Sequence, residues 1–424
     1  MIHSILARVG FFGFIFLYTA VGANAALPLI GNAWLTGYDG VAYNNFGSSL
    51  DMTPDGKTVL VGANGYTNTV APGTAYIFTS LSTSAGKKLV PGDPSPAGRF
   101  GSTVALSDNG TTAVVGSPGA KSGANYDKGA VYIFTSAGGW TQQAKLVDPV
   151  AASETFFGCA VDISDDGNTV IIGNCSNPYI NQMISSVYIY VRQNGIWSLQ
   201  KKQLRGNDTQ ADDGFGSAVA LSGDGNTALV GAFMATANMN NDQGAAYVFV
   251  RNGTTWAQQA KVTAADGAQW DMFGNVVDLS NDGNTAIVGD SRKDSGAAYV
   301  FSRNAGSWTQ QAKLTASDPD PYNSIFANSV ALSNNGTIAV IGDYECARIF
   351  VRTSGTWSAR EKLATNNSDA YGFGEAVALA DDGQTVLIGA SSATVSGNPF
   401  QGSAYIFRPY VPMTGPVMLL LKSP

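Results

Sequence analysis

The 424-residue chain is 44% hydrophobic but only 13% charged, and its formal net charge at pH 7 is −7. An acidic chain with few basic clusters lacks the cationic surface that displaces counterions from nucleic acid, so nucleic-acid partners are excluded. Its one histidine is His3, which removes imidazole general bases, Ser-His-Asp or Cys-His catalysis and His-bound zinc from everything that follows.

In chain order, residues 1–25 combine Arg8, an apolar stretch from Val9 to Val21 and the small-residue pattern Ala23-Asn24-Ala25. They read as a secretory signal peptide, too short and wrongly flanked for a membrane anchor. The mature chain is expected to begin near Ala26 and to be secreted, whether extracellular, periplasmic or held at a cell surface. From Phe46 onward one phrase recurs seven times: Phe-Gly, four or five small or apolar residues, a Ser-x-Asp-Gly-type turn, then Val-Gly-Ala. Its anchors are Phe46, Phe100, Phe157, Phe215, Phe273, Phe326 (followed by Ala327) and Phe373, separated by 54, 57, 58, 58, 53 and 47 residues. A period near 50 with several short strands per unit marks a radially repeated sheet protein, because one unit cannot cover both of its faces. The expected fold is all-β, a seven-bladed β-propeller of four-stranded antiparallel blades over residues 26–410.

The fourth copy shows the blade best. Gly216 to Leu221 alternates small and apolar residues, Gly223 to Asn226 is a turn, Thr227 to Ala232 is continuously apolar, and Ala245 to Val250 and Trp256 to Val262 follow. Asp-Gly and Asn-Gly pairs tolerate positive φ and read as hairpins. The second strand, apolar on both faces, must be covered on both sides. Tyr-x-Phe in the third strand and Trp140, Trp197, Trp256, Trp308 and Trp357 at the head of the fourth read as scaffold, because they keep phase with the repeat. The seventh copy lacks a fourth strand. Leu35 lies 11 residues before Phe46, as Leu204 lies 11 before Phe215, so the N-terminal strand is expected to complete the last blade and leave no open edge. Residues 411–424 form a tail whose apolar run, Val417 to Leu421, is far short of the roughly 20 residues of a span, so a monomer without a transmembrane anchor is expected.

Cys159 starts the first strand of the third repeat and Cys175 ends the second. The intervening hairpin brings them near each other, and cross-strand register decides whether they bridge in an oxidising compartment. Cys346 is left over.

The run Phe215-Gly216-Ser217-Ala218-Val219-Ala220-Leu221-Ser222-Gly223-Asp224-Gly225-Asn226-Thr227-Ala228-Leu229-Val230-Gly231-Ala232 resembles the FG-GAP repeat, the blade unit of the propeller at the N-terminus of integrin α subunits. It is especially similar to the form found in tandem in secreted bacterial proteins. The resemblance implies Ca²⁺ in the hairpin between the first two strands, held by oxygen ligands at alternate positions. The candidates are Asp51 and Asp55, Asp162 and Asp166, and Asp278 and Asp282. The last acidic position of that pattern is Val59, Val170 or Ala286 here, and hairpin chemistry alone explains the same Asp-Gly pairs.

Loops after the second strand are the most irregular part of the repeat, and they share one face of the ring with the inter-blade links. That face carries the ligand-binding candidates Asp212, Asp213, Asp266, Trp270, Asp271, Tyr322 and Tyr371; aromatics beside carboxylates suit sugar rings or cationic side chains. Three functions fit. One is a secreted, non-catalytic binding or adhesion module for an extracellular protein or glycan, as the resemblance implies. Another is a glycosidase-like hydrolase using two carboxylates about 5–10 Å apart. The third is a structural matrix protein with no discrete site. Long, unlike loops at one position of the repeat favour the first.

Overall fold

A computed structural model describes residues 29–409 except 66–72, 80–85, 95–97, 122–127, 150–154, 176–184, 293, 321–324 and 344. The segments read as signal peptide and C-terminal tail lie outside the described residues, as does Tyr322. Among the described residues no helix is long and apolar enough to cross a membrane.

Seven four-stranded antiparallel sheets form the ring. Blade 4 comprises Phe215–Leu221, Thr227–Ala232, Ala245–Asn252 and Thr255–Val262, hydrogen-bonded in that order. Its first hairpin is closed by Asp224, which accepts from the Ser222 hydroxyl (2.6 Å) and the Asn226 N–H (2.9 Å), with Gly225 at φ +66 as such a turn requires. The third and fourth strands run further than their apolar residues indicate, to the pair Asn252↔Thr255, because a two-residue Gly-containing turn continues the ladder to its end.

Seven apolar seams hold the blades together. In the seam between blades 3 and 4, Phe215 meets Tyr247 and Phe249 edge-on at 5.5 and 6.1 Å, amid buried Ile171, Ile189, Val230 and Trp256. T-shaped geometry suits the ring quadrupoles. The Val-Gly-Ala glycine sits where a blade touches the next one: a Cβ on Gly231 would lie 2.1 Å from the Gly274 carbonyl oxygen. Three of the in-phase tryptophans bind the outer strand of the preceding blade, whereas the buried Trp357 Nε1 has no hydrogen-bond partner. Trp256 Nε1 donates to Gln200 Oε1 (3.0 Å) under the Arg251 guanidinium, and Trp197 and Trp308 do likewise with Gln143 and Gln259.

Blade 7 consists of Phe373–Leu379, Val386–Ala390, Ser403–Pro409 and the N-terminal strand Leu29–Leu35. Trp34 pairs with Tyr405 as Lys261 pairs with Tyr247 in blade 4, so Trp34 fills the lysine position of the repeat rather than its tryptophan position. Loops after the second strand lie against the next inter-blade link: the Phe46, Phe157 and Phe273 N–H groups donate to Gln401, Lys128 and Gln243 carbonyls. The first hairpins of all blades gather at the opposite end of the axis.

Candidate functional site

On the loop face a clamp recurs from blade to blade. Asp208, in the link before blade 4, accepts from the Tyr247 hydroxyl (2.9 Å) and from Lys261 Nζ (2.6 Å). Burial works against its charge, but the lysine and tyrosine outweigh it and hold the carboxyl below its usual range; burial and then Asp208 push the Tyr247 phenol up. Asp39 with Tyr76 and Lys88, and Asp93 with Tyr132 and Lys145, repeat the arrangement. The ligand candidate Asp266 is another copy, bound to Tyr299 at 2.8 Å and Lys313 at 2.7 Å. Blade 7 uses an uncharged version: Asn367 Nδ2 donates to the Tyr405 hydroxyl (2.8 Å), matching the absence of a lysine where Trp34 stands.

Asp213 and Asp271 are buried in the links. Asp213 accepts the Gln210 N–H (2.7 Å) and Asp271 the Ala268 N–H (2.6 Å), closing the link turns; burial pushes the Asp213 carboxyl up. Asp212 is exposed, and Trp270 and Tyr371 are 58% and 56% exposed. Trp270 stands between blades 4 and 5 and Tyr371 between blades 6 and 7, so the two belong to different seams. Sequence reasoning missed a third aromatic group: Tyr43 stacks on Phe400 at 5.6 Å between blades 7 and 1. An exposed aromatic out of repeat phase on a link is the signal that finds all three.

The six metal candidates divide into two structural roles. Asp55, Asp166 and Asp282 close hairpins, each accepting from the hydroxyl two residues before it and the N–H two residues after it. Asp51, Asp162 and Asp278 instead bridge blades. Asp162 Oδ1 accepts the Ile163 N–H (2.7 Å) and Oδ2 the Leu221 N–H of blade 4 (2.6 Å). Asp51 joins Met52 to Leu106 in the same way, and Asp278 joins Leu279 to Leu332. One carboxylate thus serves the inner strands of two blades, in pairs 1–2, 3–4 and 5–6. That explains why the same position is Ala105, Ala220 and Ala331 in the even blades. Among the described residues no three His, Cys, Asp or Glu side chains group as a metal site.

These three aspartates line an axial cavity of about 260 Å³, with Asp108, Asp165, Asn281 and Asn334 at its hairpin end. There Asn281 Nδ2 donates to Asp165 (2.5 Å) and Asn334 Nδ2 to Asp108 (2.7 Å). Backbone bonds run between neighbouring hairpins, Asp165 N–H to Gly223, Gly223 N–H to Asn281 and Asn281 N–H to Asn334. Burial, then the Asp165 charge, pushes the Asp108 carboxyl up to about 7.

Cys159 and Cys175 form a disulfide across the first hairpin of blade 3, and Cys346 is a free, buried thiol pushed up to about 11 by burial and by Asp343. Blade 6 departs from the repeat most. Its third strand carries Arg348 where other blades carry tyrosine, and the buried guanidinium pairs with Asp318 (2.5 Å) and Asp343 (3.3 Å). Its second and third strands meet at the pair Asp343↔Cys346, with no room for a loop.

A family model described as "FG-GAP repeat" matches residues 32–78, 84–134, 140–190, 197–249, 256–301 and 308–355, well over half of the chain. The first five matches begin near the outer strand of one blade and end in the third strand of the next, and the sixth runs on into the turn just past the third strand of blade 6. The seventh unit, from Trp357 to Phe407, is outside these segments yet supplies the outer strand of blade 6 and three strands of blade 7. Among solved structures, the chain is similar to the Cps50 (Swd1) β-propeller domain of Myceliophteria thermophila, with a TM-score of 0.57, 12% identity, and coverage of 90% of this chain and 99% of that one. Hydrazine synthase of Kuenenia stuttgartiensis gives a TM-score of 0.57 and 12% identity over 89% and 98%. These likenesses concern the fold alone. No curated protein matches the chain.

Proposed function

The chain belongs to the FG-GAP repeat family, and from that premise we propose that it is a secreted, non-catalytic binding module that presents its loop face to an extracellular protein or glycan. The division of labour between strands and loops carries this reading. In-phase residues are absorbed by seams, clamps and the axis, whereas Trp270 and Tyr371 stand largely exposed on the links, out of repeat phase. Large aromatics left at the surface of a well-packed domain are characteristic of recognition surfaces. The loop-face carboxylates Asp213, Asp266 and Asp271 hold backbone or clamp partners, which suits positioning more than proton transfer.

The test is binding of the purified protein to a glycan array and an extracellular-matrix protein panel, each with Ca²⁺ and with EDTA. A specific hit weakened by Trp270→Ala or Tyr371→Ala places recognition on this face. Hydrolysis of a panel glycan would move the protein to the hydrolase class, and silence on both panels would favour a structural role.

A further inference from the structure

In blades 2, 4 and 7 the loop after the second strand runs beside the following link, and its carbonyls take the N–H of the next Phe: Phe157 from Lys128 (3.1 Å), Phe273 from Gln243 (2.9 Å) and Phe46 from Gln401 (2.9 Å). Blade 6 has no such loop, since Asp343 pairs directly with Cys346. The Phe373 N–H turns back instead to Ala370 of its own link (3.2 Å). The uncovered ground is a cavity of about 170 Å³ whose polar walls are Glu345, Thr365, Asn366, Asn367, Ser368 and Tyr371, with buried Phe373 beside them.

We propose that this notch is a subsite for the terminal ring of a neutral glycan. The proposal deepens the binding-module reading and rests on it. Size points to one ring, because a protein cavity of about 150 Å³ accepts benzene, whereas drug-sized ligands need roughly 300 Å³ or more. The lining then selects the kind of ring. Amides and hydroxyls offer donors and acceptors together, as sugar hydroxyls demand, and an apolar ring would strand them unpaired. Tyr371 supplies a flat apolar surface for the C–H side of a pyranose. The only charge in the lining is the Glu345 carboxylate, which disfavours sialylated or sulfated ends.

The walls are also held in place. Asn367 donates to the Tyr405 hydroxyl (2.8 Å) and accepts the Asp369 N–H (3.1 Å), while Thr365 Oγ1 accepts the Asn367 N–H (3.1 Å), leaving the threonine hydroxyl proton to donate outward. A peptide partner would need a long groove or a deep apolar anchor pocket, and a notch of about 170 Å³ with polar walls is neither.

The experiment is a printed array of neutral, sialylated and sulfated glycans, probed with wild type, Tyr371→Ala, Asn366→Ala and a variant whose residues 344–345 are replaced by the blade 4 loop, residues 233–244. Wild type is expected to prefer neutral hexose or N-acetylhexosamine ends. Tyr371→Ala should bind them about tenfold more weakly, the effect of losing one aromatic contact, and Asn366→Ala should also lose affinity. Both positions are exposed, so melting temperatures should not move, and these variants decide the matter if the loop insertion does not fold. The filled notch should not bind at all. Wild-type affinity in both point variants, or preference for sialylated ends, overturns the proposal. Protein-panel binding without glycan binding overturns the subsite while the module reading stands, and silence on both panels overturns both.

Discussion

Raising the pH from 5 to 8 is expected to destabilise this propeller. Burial pushes the Asp278 carboxyl from 3.8 up to about 6, despite two backbone N–H donors that favour its charge. Burial pushes Asp51 up to about 7, with the Asp108 and Asp278 charges adding to it, and raises Asp162 with help from Asp51. These side chains keep some area toward the hollow axis, but the protein packed around them, not that internal area, sets the cost of charging. A folded-state pKa above the unfolded one means that the folded state binds more protons, so the stabilisation is complete below about pH 4 and is lost as pH rises through about 6 to 7. Between pH 5 and 8, Asp278 gives up about one unit of that difference and Asp51 about two, together roughly 4 kcal/mol at about 1.4 kcal/mol per unit. With an unfolding entropy of about 2 cal/mol/K per residue over roughly 380 residues, that is about 5 °C. The hairpin aspartates have the opposite slope, since Asp55 is held at about 2 by its Lys57 and Thr53 hydrogen bonds and Asp166, Asp224 and Asp282 are also lowered. Their contribution is lost only as pH falls through about 4 and below, outside this window. The assay is thermal melting by circular dichroism from pH 5 to 8 at constant ionic strength, with Asp51, Asp162 and Asp278 all replaced by the alanine of the even blades as a control whose fall should be shallower than that of wild type, since Asp108, pushed up to about 7, still titrates in this window. A wild-type melting temperature that stays level or rises refutes the reasoning, because the axial carboxylates would then ionise like surface ones.

Gly231→Ala should cost about 3 kcal/mol in urea titration, the upper range for overpacking, because the new Cβ meets the Gly274 carbonyl at 2.1 Å and backbone cannot rotate away; an unchanged midpoint would mean that the blades stand further apart. Reducing Cys159–Cys175, 16 residues apart, should cost about 3 kcal/mol, read as a lower melting temperature in dithiothreitol. Alkylation of the unfolded, unreduced chain should label Cys346 alone, and three labelled thiols would contradict the bridge. Asp282→Ala should cost about 1 kcal/mol through loss of its turn hydrogen bonds, equally in Ca²⁺ and in EDTA. A fall in the wild-type melting temperature on adding EDTA would instead make calcium a structural ion of these hairpins.

The architecture was legible because seven copies of one pattern leave little ambiguity: Phe215-Gly216 and Val230-Gly231 mean little alone, but at a steady period they imply stacked blades. The distance from Leu35 to Phe46 disclosed the closure of blade 7, which is a matter of spacing. What the sequence hid were partners distant in the chain. Asp51 followed by Asp55 spells a calcium hairpin as readily as an inter-blade bridge, and the difference lies in the Leu106 N–H, 55 residues away. Asp266 reads as a rim carboxylate until Tyr299 and Lys313 are seen beside it. There the signal was present, since an aspartate in the link, a tyrosine in the third strand and a lysine in the fourth recur together. The 47-residue gap before Phe373 was also visible, but its meaning depends on knowing that these loops cover the links.

Departures from the repeat fall into two kinds, and ring closure accounts for only one. An odd number of blades cannot be paired off, so blade 7 carries Ala378 where a bridging aspartate would have no partner blade. Its fourth strand comes from the N-terminus, so Trp34 replaces lysine and Asn367 replaces aspartate, and a charged pair becomes a neutral one. Blade 6 is under neither constraint. It already shares Asp278 with blade 5, and all four of its strands are continuous in the chain. Yet it alone joins its second and third strands without a loop, which leaves the next link to bond to itself. The shortened turn carries the buried Arg348–Asp343 ion pair, but the scaffold loses the loop's hydrogen bonds to the link. A departure that costs the fold something and is not required by closure is best explained by what the opened surface does, and here it opens beside Tyr371, an aromatic the scaffold does not use.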